Sequence, residues 1–406
     1  MVSRACCAIA AWVAVALFFE LALFEMLPFE ACVPLGRPPN VAASAVATPP
    51  PVLVMADPHL LGMRRSALDR AWVDWQLRRS VEAATKRHAP SLAILLGDAL
   101  DEGAQIHRFI RAGRSAVAAK REWRAAARRF RAAWSSLRRA HVAEGTGTVP
   151  LVAVVGNHDA GEGAEHTVAS LQRFERSFGR AQAIEMHDGV AFVRINALAL
   201  APRAPAAARD AAWEWLAATS ASTAPLPVVL LSHLPLFRPD DRACGAARAL
   251  ERDGVAARWF ATRALRADVT IARPSEALNE GVDVLTAAAT ARLLLLFRPA
   301  AVLSGHTHAV CYREHSVAGG GGGGDQSVHA GGSASGYEND AAAATRRNLT
   351  VPEFTIPAFG WRMRPDPGYA VLHVALSGAP AVAAAASTSS PARCVFIYRY
   401  ILNEFC

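Results

Sequence analysis

Five short apolar runs, each closed by a polar cluster, constrain this chain more than any other feature. Val52–Ala56 runs into Asp57-Pro58-His59, and Leu92–Leu96 into Gly97-Asp98 with Asp101 just beyond. Leu151–Val155 runs into Gly156-Asn157-His158-Asp159, Val228–Leu231 into Ser232-His233, and Ala300–Leu303 toward Gly305-His306-Thr307-His308. Each run has strand length and ends in residues that favour turns. Between them lie stretches long enough for helices. Leu68, Trp72 and Trp75 recur at helical spacing, and an Arg/Ala-rich segment from Ile106 to Ala140 carries Trp123, Phe130 and Trp134 as apolar anchors. Strand–helix alternation of this kind predicts an α/β fold with buried sheets. Thr355-Ile356-Pro357 and Tyr369–Val374 are expected to close the domain as strands.

The boundaries follow from composition. Residues 1–27 open with Arg4, continue from Ala5 to Phe19 without a charge, and add an apolar stretch holding Glu20 and Glu25. A bilayer span needs about 20 apolar residues, and the apolar region of a signal peptide runs about 7–15. Both readings, signal anchor and cleaved signal peptide, stay open; either sends the following domain across a membrane. A Pro/Ala-rich linker is expected over 28–51, one catalytic domain over 52–400 with a low-complexity insertion at 318–347, and a tail over 401–406. Asn348-Leu349-Thr350 has the glycosylation acceptor pattern, in keeping with a lumenal domain.

Net charge is +8, which by itself would suit a polyanionic partner. The basic residues are nearly all Arg, Lys86 and Lys120 excepted, and Ala is inflated as well. That pairing reads as compositional bias spread over helix surfaces, so no nucleic-acid partner is expected. Seven cysteines form no C-x-x-C pair, which argues against a cysteine zinc site. One or two disulfides fit a lumenal domain, with Cys244 and Cys394 as candidates.

Ligands bind at the carboxyl ends of strands in α/β sheets, because the loops there converge on one crevice. The five clusters therefore bring carboxylates, an amide and imidazoles to one place. Two divalent ions about 3.5–4 Å apart can clamp the attacking and leaving oxygens of a phosphoryl displacement. Asp98 is the natural bridging carboxylate. Asp57, His59 and His308 would complete one ion's ligands, and Asn157, His233 and His306 the other's. This mixed O/N donor set suits manganese, zinc or iron better than calcium. The catalytic candidates are His158 and Asp159: His158 toward the phosphate or the leaving oxygen, with Asp159 and Asp101 orienting the ligands.

In this order the motifs D-x-H, G-D-x-x-D, G-N-H-D, a lone His and G-H-x-H resemble the calcineurin-like metallophosphoesterase superfamily. The resemblance extends to Leu95–Gly103, to Leu231-Ser232-His233-Leu234-Pro235-Leu236-Phe237-Arg238, to Leu303–Cys311, to Val351-Pro352-Glu353 and to Pro357-Ala358-Phe359-Gly360-Trp361-Arg362. Those segments are similar to the membrane-anchored branch that removes ethanolamine-phosphate from a mannose of GPI anchors, together with related yeast cell-division-cycle proteins. The resemblance implies a four-layer α/β/β/α sandwich, two Mn2+ ions on the seven ligands named, and a single-pass membrane protein of the endoplasmic reticulum or Golgi. It leaves Arg362 as a substrate-phosphate candidate. The other readings are a phosphomonoesterase, nucleotidase or nuclease with the same centre, or a membrane-tethered binding module without catalysis.

Overall fold

In the computed structural model the described residues are 33–34, 50–106, 113, 115–135, 137, 148–224, 226–245, 248, 273–317, 349–360, 363, 367–375 and 394–401, with the backbone alone at 33–34, 317, 375 and 394–401. Residues 1–27, the insertion at 318–347, Arg362 and residues 402–406 lie outside this set. Among the described residues no helix is long and apolar enough to cross a membrane.

The five expected strands form: β2 (Val52–Met55), β3 (Leu92–Leu95), β4 (Leu151–Ala153), β7 (Val228–Leu231) and β8 (Ala301–Ser304). Seven more join them: β1 (Val33–Pro34), β5 (Ala183–His187), β6 (Val190–Arg194), β9 (Cys311–Val317), β10 (Leu349–Thr355), β11 (Gly368–Ala375) and β12 (Cys394–Ile401). Two six-stranded sheets result, ordered β1-β12-β11-β2-β3-β4 and β5-β6-β7-β8-β10-β9. β2, β3 and β4 run parallel, as do β6, β7, β8 and β10, so each sheet gathers several carboxyl ends on one edge. The expected linker is not wholly a linker, because Val33 and Pro34 pair with Arg399 and Tyr398 at the edge of the first sheet.

Strand periodicity explains the layering. Val52, Val54, Leu92, Ile94 and Val152 of one sheet meet Phe192, Val229, Leu231, Leu303 and Phe354 of the other in a common apolar layer. The alternate residues Leu53, Met55, Ala93, Leu95, Val193, Leu230 and Val302 face outward against helices. With both faces covered, each strand is apolar throughout, which is why the runs are continuous in the sequence. Among the described residues the helices include α1 (Ala67–His88), α2 (Ala116–Ala133), α3 (Asn157–Ala160), α4 (Val168–Phe178), α5 (Ala197–Leu200), α6 (Ala206–Thr223) and α7 (Ala287–Phe297). The architecture is the four-layer α/β/β/α sandwich.

Both expected helical stretches form. The core face of α1 is Val73, Leu77, Val81 and Ala84, not the Leu68–Trp72–Trp75 stripe; Leu68 is 83% exposed and the two tryptophans, half-buried, stack on each other. A second apolar stripe thus runs along the side away from the sheet. Within the Arg/Ala-rich segment Ala116–Ala133 form a helix, with Trp123 and Phe130 buried and Trp134 at its C-cap. Burying each of those rings contributes roughly 1.5–3 kcal/mol. Cys244 is bonded to Cys311, which rules out a bridge from Cys244 to Cys394.

Candidate metal centre

Backbone geometry marks the site before any side chain is considered. Asp57, His59, Asp98, His306 and His308 all have positive φ, between 45° and 70°. Few non-glycine residues adopt this region, and such strain persists where surrounding structure holds it at functional sites. Here the chain turns sharply off each strand end. The amide of Asp57 donates to the Gly97 carbonyl and that of His59 to the Asp98 carbonyl, locking the first two loops together. Gly156 is required by proximity: a Cβ there would collide with the Asp98 carboxylate.

The side chains then converge as two groups that share one carboxylate. Asp98 Oδ2 lies 3.5 Å from His59 Nε2, and Asp98 Oδ1 lies 3.5 Å from His233 Nε2. On the first side His59 Nε2 and His308 Nε2 are 3.0 Å apart, with Asp57 Oδ1 4.0 Å from His308 Nε2. On the second, His233 Nε2 is 3.0 Å from Asn157 Oδ1 and 3.2 Å from His306 Nδ1. Two donors each about 2.1 Å from one ion are separated by roughly 3.0–3.4 Å at octahedral or tetrahedral angles. The His59–His308, His233–Asn157 and His233–His306 spacings fall in that range, and the contacts of Asp98 and Asp57 are wider, at 3.5–4.0 Å. Asp57, His59, Asp98 and His308 form one potential ion-holding set, and Asp98, His233 and His306 another.

Secondary contacts aim these donors. His233 Nδ1 is 2.8 Å from the Leu96 carbonyl, which fixes its tautomer and leaves Nε2 for the site. The His306 amide donates to Asp57 Oδ2, while the fully buried Oδ1 of Asp57 has no hydrogen-bond partner. A buried carboxylate oxygen left so is costly unless a cation meets it. Asp101 Oδ1 stands 3.5 Å from His59 Nδ1.

Electrostatics describe a cluster that lacks positive charge where it needs it. Burial pushes the Asp57 carboxyl up to about 8, with Asp98 adding to the rise. Burial works against a charged His233, yet the Asp98 and Asp57 carboxylates outweigh it and raise that imidazole to about 9. His306 falls to about 3 through burial and the neighbouring His233, and His308 is lowered by burial and His59. One ring takes up a proton because two carboxylates face it; divalent ions would supply that charge with better geometry. The donors fit such ions.

The remaining predicted residues take distinct places. His158 is one-third exposed, its Nδ1 2.7 Å from the Asp101 carbonyl and its amide donating to Asp98 Oδ1. Asp159 is fully buried and accepts from the amides of Ala99, Leu100 and Gly156, so it ties the Gly97–Asp101 loop to the Gly156–Asp159 turn and does not face the crevice. Arg362 lies outside the described residues.

Sequence reasoning assigns no role to a buried polar network behind the second sheet's edge. Glu353 accepts from the Leu236 amide and the Ser304 hydroxyl and lies 2.9 Å from His315 Nε2. Arg238, fully buried, pairs with Asp241 at 2.7 Å and donates to Thr355. Arg248 reaches the other Asp241 oxygen at 3.2 Å. This network braces the loop that leaves His233 against β8 and β10. Its one signal in the sequence is that Arg238 and Glu353 fall within segments that carry the family resemblance.

A four-layer sandwich with a buried Asp/His donor cluster on its strand ends defines the class of metal-dependent hydrolases of phosphate esters. Residues 50–310 match the family model described as Calcineurin-like phosphoesterase, and the chain belongs to that family as a metallophosphoesterase. Among the proteins it is similar to is Metallophosphoesterase 1 of Gallus gallus, 27% identical, with 87% of this chain and 77% of that protein covered. Metallophosphoesterase 1 of Macaca fascicularis is 28% identical over 88% of this chain and 76% of its own length. The Danio rerio protein of that name is 25% identical over 88% and 79%.

Proposed function

We propose that the chain is a metal-dependent phosphodiesterase of the secretory pathway that removes ethanolamine-phosphate from a mannose of GPI anchors. The division of the Asp98 carboxylate between two donor groups supports the hydrolytic chemistry. Flanking segments that resemble the GPI-remodelling branch, and alignment with Metallophosphoesterase 1 over most of the chain, support the substrate. The Cys244–Cys311 disulfide supports an oxidising, lumenal compartment. Manganese is the first choice of ion, with zinc or iron as the alternatives.

When bound, two divalent ions supply Lewis acidity toward the phosphoryl oxygens and make water acidic enough to act as nucleophile at neutral pH. Asp57, His59, His308 and Asp98 Oδ2 would hold one, and Asn157, His233, His306 and Asp98 Oδ1 the other. His158 directs its Nδ1 to the Asp101 carbonyl, so Nε2 is the atom left to hold a proton for the leaving mannose oxygen. Its partial exposure gives substrate access to that atom. Asp101 steadies His59, and Asp159 keeps the two loops in register.

Deleting the gene from its own cells and measuring GPI glycans by mass tests the substrate. Retention of ethanolamine-phosphate on mannose is the expected outcome. Glycans identical to the parent strain's would remove this substrate while leaving the metal centre open to another phosphate ester.

A further inference from the structure

The crevice edge carries an apolar rim that the metal centre does not use. Among the described residues, seven large apolar side chains are exposed, and four of them are Met63 (54%), Leu68 (83%), Val117 (77%) and Val168 (71%). Their positions are not scattered. β2, β3 and β4 are parallel, so the segments that follow them begin at the edge where Asp57, Asp98 and Asn157 sit. Met63 lies between His59 and α1, Leu68 in the first turn of α1, Val117 in the first turn of α2, and Val168 opens α4 just beyond α3. The Met63 amide donates to Glu122 of α2, which joins the first two elements of the rim. Trp72 and Trp75 continue the stripe along α1, half-buried, with ring centroids 5.2 Å apart.

We propose that this rim docks on a phospholipid bilayer, so that the metal edge of the catalytic domain faces the lipid surface. Exposed aliphatic side chains beside tryptophans are the composition that enters the headgroup boundary. Along the α1 and α2 part of the rim charge complements a phosphate-bearing surface: Arg64, Lys120, Arg121 and Arg124 are exposed and Arg65 partly so, against the acids Asp69 and Glu122, while Glu162 is exposed and Glu165 partly so near Val168. Glu122 is already engaged by the Met63 amide. A rim of this size binds lipid weakly alone; combined with an apolar N-terminal stretch it acts as a second, orienting contact, because tethering raises the effective concentration of membrane. The contact holds whichever phosphate ester the site cleaves, so it stands or falls apart from the GPI reading.

The test is hydrogen–deuterium exchange on the full chain, with and without vesicles of phosphatidylcholine and phosphatidylserine. It compares the natural sequence with the triple variant Met63→Glu, Leu68→Glu, Val117→Glu. In the natural chain, vesicles should slow exchange over 60–72 and 115–121 by about tenfold, and the variant should lose that slowing. Turnover of the soluble diester bis(p-nitrophenyl) phosphate should be the same in both, which shows that the variant is folded. No vesicle-dependent slowing in the natural chain, or equal slowing in the variant, overturns the proposal. Slowing that rises with protein concentration in the absence of vesicles also overturns it, by assigning the rim to a second copy of the chain.

Discussion

Cys244 and Cys311, bonded with their Cα atoms 4.4 Å apart, join the segment that leaves His233 to the strand that leaves His308. The bond closes a sequence separation of 67 residues and holds two ligand-bearing loops on one frame. Cys311→Ser should lower unfolding free energy by roughly 2–4 kcal/mol in urea titrations. It should also weaken divalent-ion binding measured by calorimetry. Unchanged ion affinity would show that the network around Glu353 holds the loops without the disulfide.

Asp98 is the side chain that both donor groups share. Asp98→Ala should abolish turnover, by more than about a thousandfold, because neither group keeps a full donor set. Far-ultraviolet circular dichroism should stay close to that of the parent, since Asp98 lies beyond the end of β3. Near-normal rates in this variant would refute the bridging role.

Gly156 leaves no space for a methyl group beside the Asp98 carboxylate. Gly156→Ala must therefore push Asp98 or the Asn157 turn aside. Loss of most activity is expected, with little change in the overall fold. A fully active alanine variant would mean that the two loops separate more easily than their mutual hydrogen bonds suggest.

Divalent ions should stabilise the fold, because Asp57 Oδ1 is buried with no hydrogen-bond partner. At an ion concentration near one hundred times Kd, the linkage is worth about 2.7 kcal/mol. Thermal scans with and without manganese should show the transition fall after chelation and return on readdition. The same midpoint in both would contradict a metal centre.

Glu353 is held below its ordinary 4.5 even though burial alone would raise it, because His315, Arg238 and the Leu236 amide stabilise the charged form. A depressed carboxyl contributes stability that is fully present above 4.5 and is lost as pH falls through the lower folded value. Glu353→Gln removes the carboxylate 2.9 Å from His315 and 3.6 Å from Arg238, while Arg238 keeps Asp241 at 2.7 Å, so a cost of about 1.5–3 kcal/mol follows from the lost charged hydrogen bonds. Denaturation series from pH 7 downward should show the natural protein losing part of its advantage over the variant below pH 4.5. A constant difference across that range would place the stabilisation elsewhere.

How much of this was legible in the sequence differs from element to element. The five site strands could be read because burial on both faces makes them continuously apolar. β5, with alternating exposure at a sheet edge, and β9, which carries Arg313, Glu314 and His315, lack that signature. Helix α1 shows the limit of periodicity: Leu68, Trp72 and Trp75 form a true stripe, yet Val73, Leu77, Val81 and Ala84 face the sheet. Spacing reports that a face is apolar. It does not report which of two apolar faces the sheet will take.

From the sequence alone came the donor types, their order and their placement behind strands, since those depend on residue identity and local chain geometry. Tertiary structure decided which Asp98 oxygen meets which histidine, that Asp159 is turned inward to backbone amides, and that Cys311 partners Cys244. Those outcomes depend on distances between loops far apart in the chain. Strand register and the left-handed turns at Asp57, His59, Asp98, His306 and His308 set those distances, and both exist only once the two sheets have packed.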